Sequence, residues 1–420
     1  MFNRWNDWIR SAAIAVLAAW VLAGCSSGLG SRPAGAQVGS TTNQERPPFG
    51  TAQYADLSPR QHDRLLGASF DSSNRLYASG WVAKGGDHVM AVSRYGSDGR
   101  LDRNFGDRGV ATVNIARGGK AAEQARSVVV QASRMVVVAG PVEHDPAAPG
   151  DAAEDTDVAV ARFDKDGRLD RSFGTDGTVR LDLSIGVADG ESYRGDTSSR
   201  LIRLADDKLL LLAAQVSPGG TDLELAVVRL TTDGVLDATF GRGGLTVVSA
   251  PWQGAVSPGG AVELADGSIV LSGSASSGDT APTVLFRLTA AGRLDPTFGT
   301  GGTARPSLQE HVPESLGVGV LGNDRRDLLV LPSGASLVVG SGKRTSRDAD
   351  GMVVKLQASG APDTRFAPGG HRLYDLGGSH DSFSGLAMSP DESRVAVVGH
   401  SAGEAGGSND DDGAVLWLEP

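Results

Sequence analysis

The chain has 420 residues, of which 58 are Gly and 19 Pro, with 5% aromatic and 40% hydrophobic content. That composition thins the supply of large core side chains and demands frequent turns, so it excludes a Leu-rich helical bundle and favours many short strands. The balance of 39 basic against 50 acidic residues gives a net charge of -11, which removes nucleic acid from the expected partners, because an acidic chain gains little from phosphate.

In chain order, Arg4 and Arg10 precede an uncharged run from Ser11 to Ala23. As a helix this run reaches roughly 20 Å, short of the ~30 Å hydrocarbon core, so it is expected to be a cleaved export signal and not a permanent span. It ends in Leu22-Ala23-Gly24-Cys25, and Cys25 is the one cysteine of the chain, which excludes an intramolecular disulfide. These residues resemble the lipobox of bacterial prolipoproteins. The resemblance implies a diacylglyceryl group on the Cys25 thiol and cleavage before it. Ser26, in the place where Asp would retain the protein at the inner membrane, implies the outer membrane, facing the periplasm or the cell surface. The expected organisation is a signal peptide over 1–24, a Ser-, Gly- and Gln-rich flexible tether over 25–47, and one folded domain over 48–420.

Within that domain a pattern recurs. Val92-Ser-Arg94 leads through Leu101-Asp102 to Phe105-Gly106, Val160-Ala-Arg162 through Leu169-Asp170 to Phe173-Gly174, and Val228-Arg229 through Leu236-Asp237 to Phe240-Gly241. A fourth copy has Arg287, Leu294-Asp295 and Phe298-Gly299, and a worn fifth has Lys355, Asp363 and Phe366-Ala367. The basic residue precedes the motif Asp by eight in every copy. Before each copy stand two apolar runs around a polar turn, such as Leu201-Ile-Arg-Leu204 and Leu209-Leu-Leu-Leu-Ala213. Four short strands per unit, punctuated by Asp-Gly turns, predict propeller blades.

The chain ends at Ala414-Val-Leu-Trp-Leu-Glu-Pro420, which corresponds to the third strand of a sixth unit, while Pro48 to Leu57 resembles a fourth strand. The expected fold is therefore all-β: a six-bladed β-propeller closed by an N-terminal strand that completes the last blade. The repeat Val-x-Arg-Tyr/Phe, then Asp-Gly-x-Leu-Asp-x-x-Phe-Gly, resembles that of the delta-60 repeat proteins, bacterial β-propellers. That likeness covers about Phe49 to Pro420 and implies fold, with little about chemistry.

The pairs Arg94 with Asp102, Arg162 with Asp170, Arg229 with Asp237 and Arg287 with Asp295 are read as ion pairs that pin a turn inside each blade. The motif Phe is read as a plug between blades. Asp164-Lys-Asp166-Gly167 reads as turn chemistry, because Ala290-Ala-Gly292 and Ala358-Ser-Gly360 lack the oxygens of a calcium loop. Near the start of the innermost strands stand Arg64, Arg126, Arg200 and Arg326, with His62 and His380 in matching places, and these are the candidate ligand-binding residues. A pocket cationic at its floor, with acidic loops at its rim, would take an anionic small molecule or a peptide terminus. No catalytic motif, metal site or cofactor is identified. The expected function is a lipid-anchored monomer acting as a binding or scaffold module, with a protein or peptide partner on its loop-rich face and more non-enzyme than enzyme. The alternative is a propeller enzyme acting on a small anionic or sugar-like substrate at the central channel.

Overall fold

Short apolar runs bounded by Gly, Asp, Ser and Pro become strands, because such runs can bury both faces only between neighbouring sheets. A computed structural model describes residues 49–420 except 51, 56, 58–61, 116–122, 145–154, 185–186, 190–191, 219–221, 250–255, 276–282, 305–326, 346–347, 358–362, 378–379 and 403–410. The expected signal, tether and Cys25, together with Arg326, lie outside the described residues.

After β1 (Ala52–Ala55) come β2 (Asp63–Phe70), β3 (Leu76–Lys84), β4 (Asp87–Tyr95) and β5 (Val110–Val113). They are followed by β6 (Ser127–Val130), β7 (Val136–Glu143), β8 (Thr156–Phe163) and β9 (Thr178–Leu181), and by the hairpin β10 (Val187–Asp189) and β11 (Ser192–Arg194). Next are β12 (Thr197–Arg203), β13 (Leu209–Val216), β14 (Leu223–Leu230) and β15 (Leu245–Val248), then β16 (Val256–Glu263), β17 (Ile269–Ala275), β18 (Thr283–Leu288) and β19 (Thr303–Ala304). The last strands are β20 (Leu328–Val330), β21 (Ser336–Thr345), β22 (Asp348–Leu356), β23 (His371–Tyr374), β24 (His380–Met388), β25 (Val395–Ala402) and β26 (Asp411–Leu418).

Four sheets are four-stranded, in the orders β2-β3-β4-β5, β6-β7-β8-β9, β12-β13-β14-β15 and β16-β17-β18-β19. This is the repeated antiparallel sheet of a β-propeller-type domain. The closed six-bladed ring is corrected, because no sheet among the described residues is closed on itself by hydrogen bonds. The fifth and sixth repeats do not make separate blades. They share an open eight-stranded sheet in the order β1-β26-β25-β24-β22-β21-β20, with β23 paired to β22. The two repeats are joined where Ala349 of β22 and His380 of β24 meet in a parallel bridge. Backbone groups at a free strand edge take whatever partner lies in reach. On the other side of this sheet β1 pairs antiparallel with β26, Ala52 opposite Leu416.

The chain divides into two compact units, and the division runs through the sheet of β2 to β5. The first unit takes the described residues of Met1–Ala78, Arg94–Asp102 and Leu308–Pro420, and the second takes Ser79–Ser93 and Arg103–Ser307. In the second, every residue of β13 is buried, and Leu209 and Leu211 pack with Val137, Val158 and Val160 while Leu210 and Leu212 pack with Ile269, Leu271 and Phe286. One strand, apolar but for Gln215, thus serves two cores, one on each face. In the first unit Val353, Phe383, Val397 and Leu416 share one core, and Leu65, Leu76, Val398 and Trp417 another.

Candidate functional site

The repeat residues form a clasp. Asp102 Oδ2 accepts from Arg94 at 2.8 Å, Asp170 Oδ2 from Arg162 at 2.7 Å and Asp237 Oδ2 from Arg229 at 2.9 Å, while Arg287 lies 3.4 Å from Asp295 and also reaches Asp266 at 2.8 Å. In the second unit the guanidinium also crosses to the next sheet: Arg162 donates to the Thr232 carbonyl at 2.6 Å and Arg229 to that of Ala290 at 2.7 Å. The same guanidinium stacks over the motif ring, Arg162 at 4.7 Å from the Phe173 centroid and Arg229 at 4.5 Å from that of Phe240. Backbone bonds repeat the crossing, from Gly106 N–H to the Asp166 carbonyl, Gly174 to Asp233 and Gly241 to Ala291. Gly234 sits at φ 81°, where a Cβ would strike the Phe173 ring at 2.7 Å, so the turn must be glycine. Burial works against the Asp237 charge, but hydrogen bonds from Thr239 and Lys208 and the charge of Arg229 hold its carboxyl well below the usual range. Asp164 accepts from the N–H groups of Asp166 and Arg168 inside its own turn.

The candidate binding residues go to different surroundings. Arg126 is half-buried, donating to Thr197 Oγ1 at 2.5 Å and Gln124 Oε1 at 3.1 Å, and desolvation lowers its pKa to about 10. Arg200 lies half-buried on β12, just after a bulge and opposite Leu212. His380 is exposed on β24 and pairs across the backbone with Ala349 and Ala402. Arg64 and His62 meet in the first unit. Asp411 Oδ2 accepts from Arg64 Nε at 2.8 Å and Nη2 at 2.5 Å, and the Asp411 N–H donates to His62 Nδ1 at 2.9 Å. His400 stands near this pair. Its burial, aided by the Arg64 charge and opposed by Asp411, lowers its pKa to about 4, so its imidazole is neutral at pH 7.

A second repeated feature escaped the sequence reading. At or just before the start of four innermost strands a buried carboxylate accepts from the backbone that follows the preceding outermost strand. Asp63 takes the Leu57 N–H at 3.0 Å, Glu123 that of Ile115 at 3.0 Å, Asp196 that of Leu183 at 2.6 Å and Asp381 that of Leu376 at 2.6 Å. Burial pushes Asp196 up to about 7 despite hydrogen bonds from Ser184 and Leu183, and pushes Asp381 up to about 6, with Asp350 and Asp375 adding repulsion. Asp63, Glu123 and Asp196 stand one, three and four residues before Arg64, Arg126 and Arg200, while no Arg follows Asp381 before Arg394, which hides the recurrence.

Two clusters bring possible ligand atoms within 4.8 Å of one another, His144 with Asp155 and Asp157, and Asp350 with Asp375 and Asp381. In the first, Asp157 already takes His144 Nδ1 at 2.8 Å and the Arg180 guanidinium. His62 and His380 belong to neither.

The family model "Domain of unknown function (DUF5122) beta-propeller" matches residues 204–240 and 264–298. No curated protein matches the sequence. A solved protein of unknown function from Dyadobacter fermentans is 12% identical, with 86% of this chain and 96% of that one covered at a TM-score of 0.47. The α-L-arabinofuranosidase Arb93A of Fusarium graminearum is 12% identical, covering 88% and 95% at 0.43. The NanB sialidase of Streptococcus pneumoniae is 11% identical, covering 85% and 68% at 0.42. The last two are named as sugar-acting enzymes. Against these names the expected non-catalytic scaffold and the leaning away from an enzyme are not kept, and likenesses at this identity carry no activity to this chain.

Proposed function

We propose that the protein is an exported, lipid-anchored propeller-type enzyme of the delta-60 repeat kind, acting on a small anionic or sugar-like substrate. The observation that supports it is the meeting of His62, Arg64, His400 and Asp411, residues from opposite ends of the folded chain. His62 Nδ1 accepts the Asp411 N–H, which fixes the orientation of an exposed imidazole. Beside it Arg64, clamped by Asp411 and 36% exposed, supplies a permanent positive charge. An oriented imidazole and a guanidinium side by side suit negative charge developing on a substrate oxygen, as when an acetal or lactone is opened by water. Among the described residues no helix is long and apolar enough to cross a membrane. The reading of Cys25 as the lipid attachment rests on the sequence.

The test is turnover by the detergent-solubilised full chain against chromogenic arabinofuranosides, sialosides and sugar lactones. A substrate found this way should lose about 100-fold or more in kcat/KM with Arg64→Ala, and less with His62→Ala. Silence of the wild type across the panel, or equal turnover by both variants, overturns the reading. Labelled palmitate should enter the wild type and not Cys25→Ser.

A further inference from the structure

The junction of the fifth and sixth repeats gathers carboxylates from three neighbouring segments. The parallel bridge of Ala349 with His380 sets the next residues, Asp350 and Asp381, side by side, and pairing of Gly351 with Tyr374 brings Asp375 opposite Asp350. On the other flank Asp381 is directly opposite Ser401 on β25. We propose that Asp350, Asp375, Asp381 and Ser401 form a binding site for a divalent cation, calcium by its ligand chemistry.

Three observations carry this. Asp350 is 3% exposed and Asp381 1%, and burying two carboxylates beside a third is costly unless positive charge joins them. Their oxygens, with one from Asp375, lie within 4.8 Å of one another. Oxygens bound to one calcium at about 2.3–2.6 Å stand no more than roughly 5 Å apart, so the spacing fits one shared ion. Independently, the Ser401 hydroxyl is 1% exposed, faces Asp381 and completes no hydrogen bond of normal geometry. Asp381 divides its oxygens in the same sense: Oδ2 takes the Leu376 N–H, and Oδ1 is buried with no hydrogen-bond partner. All four side chains offer oxygen and none offers nitrogen or sulfur, which selects a hard cation over zinc or copper.

The second repeat shows how the chain deals with the same place by other means. Asp157 lies five residues before Arg162, as Asp350 lies five before Lys355. Arg180, opposite Ala159, neutralises Asp157, whereas the corresponding residue of the fifth repeat, opposite Met352, is Leu373.

The test is calorimetric titration of the chelator-treated, detergent-solubilised full chain with calcium chloride, with thermal unfolding followed in parallel, neither of which reads turnover. One ion per chain and a Tm raised by a few degrees at millimolar calcium are expected. Asp375→Asn, the least buried ligand, should lose at least 10-fold in calcium affinity and lose the Tm response. Leu373→Arg should place a guanidinium where Arg180 stands in the second repeat, raising the calcium-free Tm and abolishing the response. No heat of binding and no Tm shift in the wild type would overturn the site, as would an unchanged response in both variants. If Asp375→Asn fails to fold, Ser401→Ala takes its place with the same expected loss.

Discussion

The clasp around Phe240 and its worn copy around Phe366 share one residue pattern and hold their surroundings by different means. At Phe240 a single arginine, Arg229, pairs with Asp237, caps a carbonyl of the next sheet and covers a fully buried ring. At Phe366 those tasks are divided: Arg365, whose side chain is mostly exposed, pairs with Asp363, and Arg372 lies 5.1 Å from a ring that is only partly buried. A repeat keeps its residue pattern where one side chain does three things at once, and loses it where the tasks can be shared. The same contrast holds for carboxylates, Asp157 being neutralised by Arg180 and Asp350 having Leu373 in the corresponding place.

The sharpest way to break the first contrast is to remove the rings. Phe240→Ala should destabilise by about 3–5 kcal/mol, and Phe366→Ala by less than half as much, measured by denaturant unfolding. Equal losses would mean that the worn copy is worn in sequence only. Arg229→Met should cost about 3 kcal/mol, because it leaves Asp237 and the Ala290 carbonyl without their buried donor. Arg180→Leu remakes the second repeat in the image of the fifth and should cost about 1–3 kcal/mol, since Asp157 loses its guanidinium and keeps Asp155 close by. The smallest effect is one of pH. Asp196 has its folded pKa raised to about 7, so the folded state holds a proton that the unfolded chain releases near the ordinary carboxylate range. Its contribution to stability is fully present in acid and is lost as pH rises through about 7. Asp196→Asn should flatten that decline in a Tm series across pH 4–8, and a slope unchanged by the substitution would show that another group carries it.

What could be read from sequence follows from which interactions are local. The Arg and Asp of the clasp are eight residues apart in every copy, so their recurrence survives on the page. The buried acids Asp63, Glu123, Asp196 and Asp381 also recur, but each answers to a backbone N–H, which has no sequence signature, across a loop of varying length. Arg64 and Arg126 look equivalent beside their strands. One finds Asp411 from the far end of the chain and the other finds Thr197, and neither partner can be read from the neighbouring residues. The fused sheet was hidden for the same reason, since the bridge between Ala349 and His380 is made by main chain alone.

The pairing of β1 with β26 also has a consequence in time. Ala52 is opposite Leu416, and the Gly50 N–H reaches the Trp417 carbonyl, so the first described strand has its partner only when β26 has been made. Contacts that join such distant residues form late and slowly, because the loop between them must be closed before they contribute. Local hairpins such as β13 with β14 can form as the chain emerges, whereas β26 keeps an unpaired edge until β1 arrives. The β26 edge is therefore open to pairing with a neighbouring chain until β1, a strand made long before it, covers it.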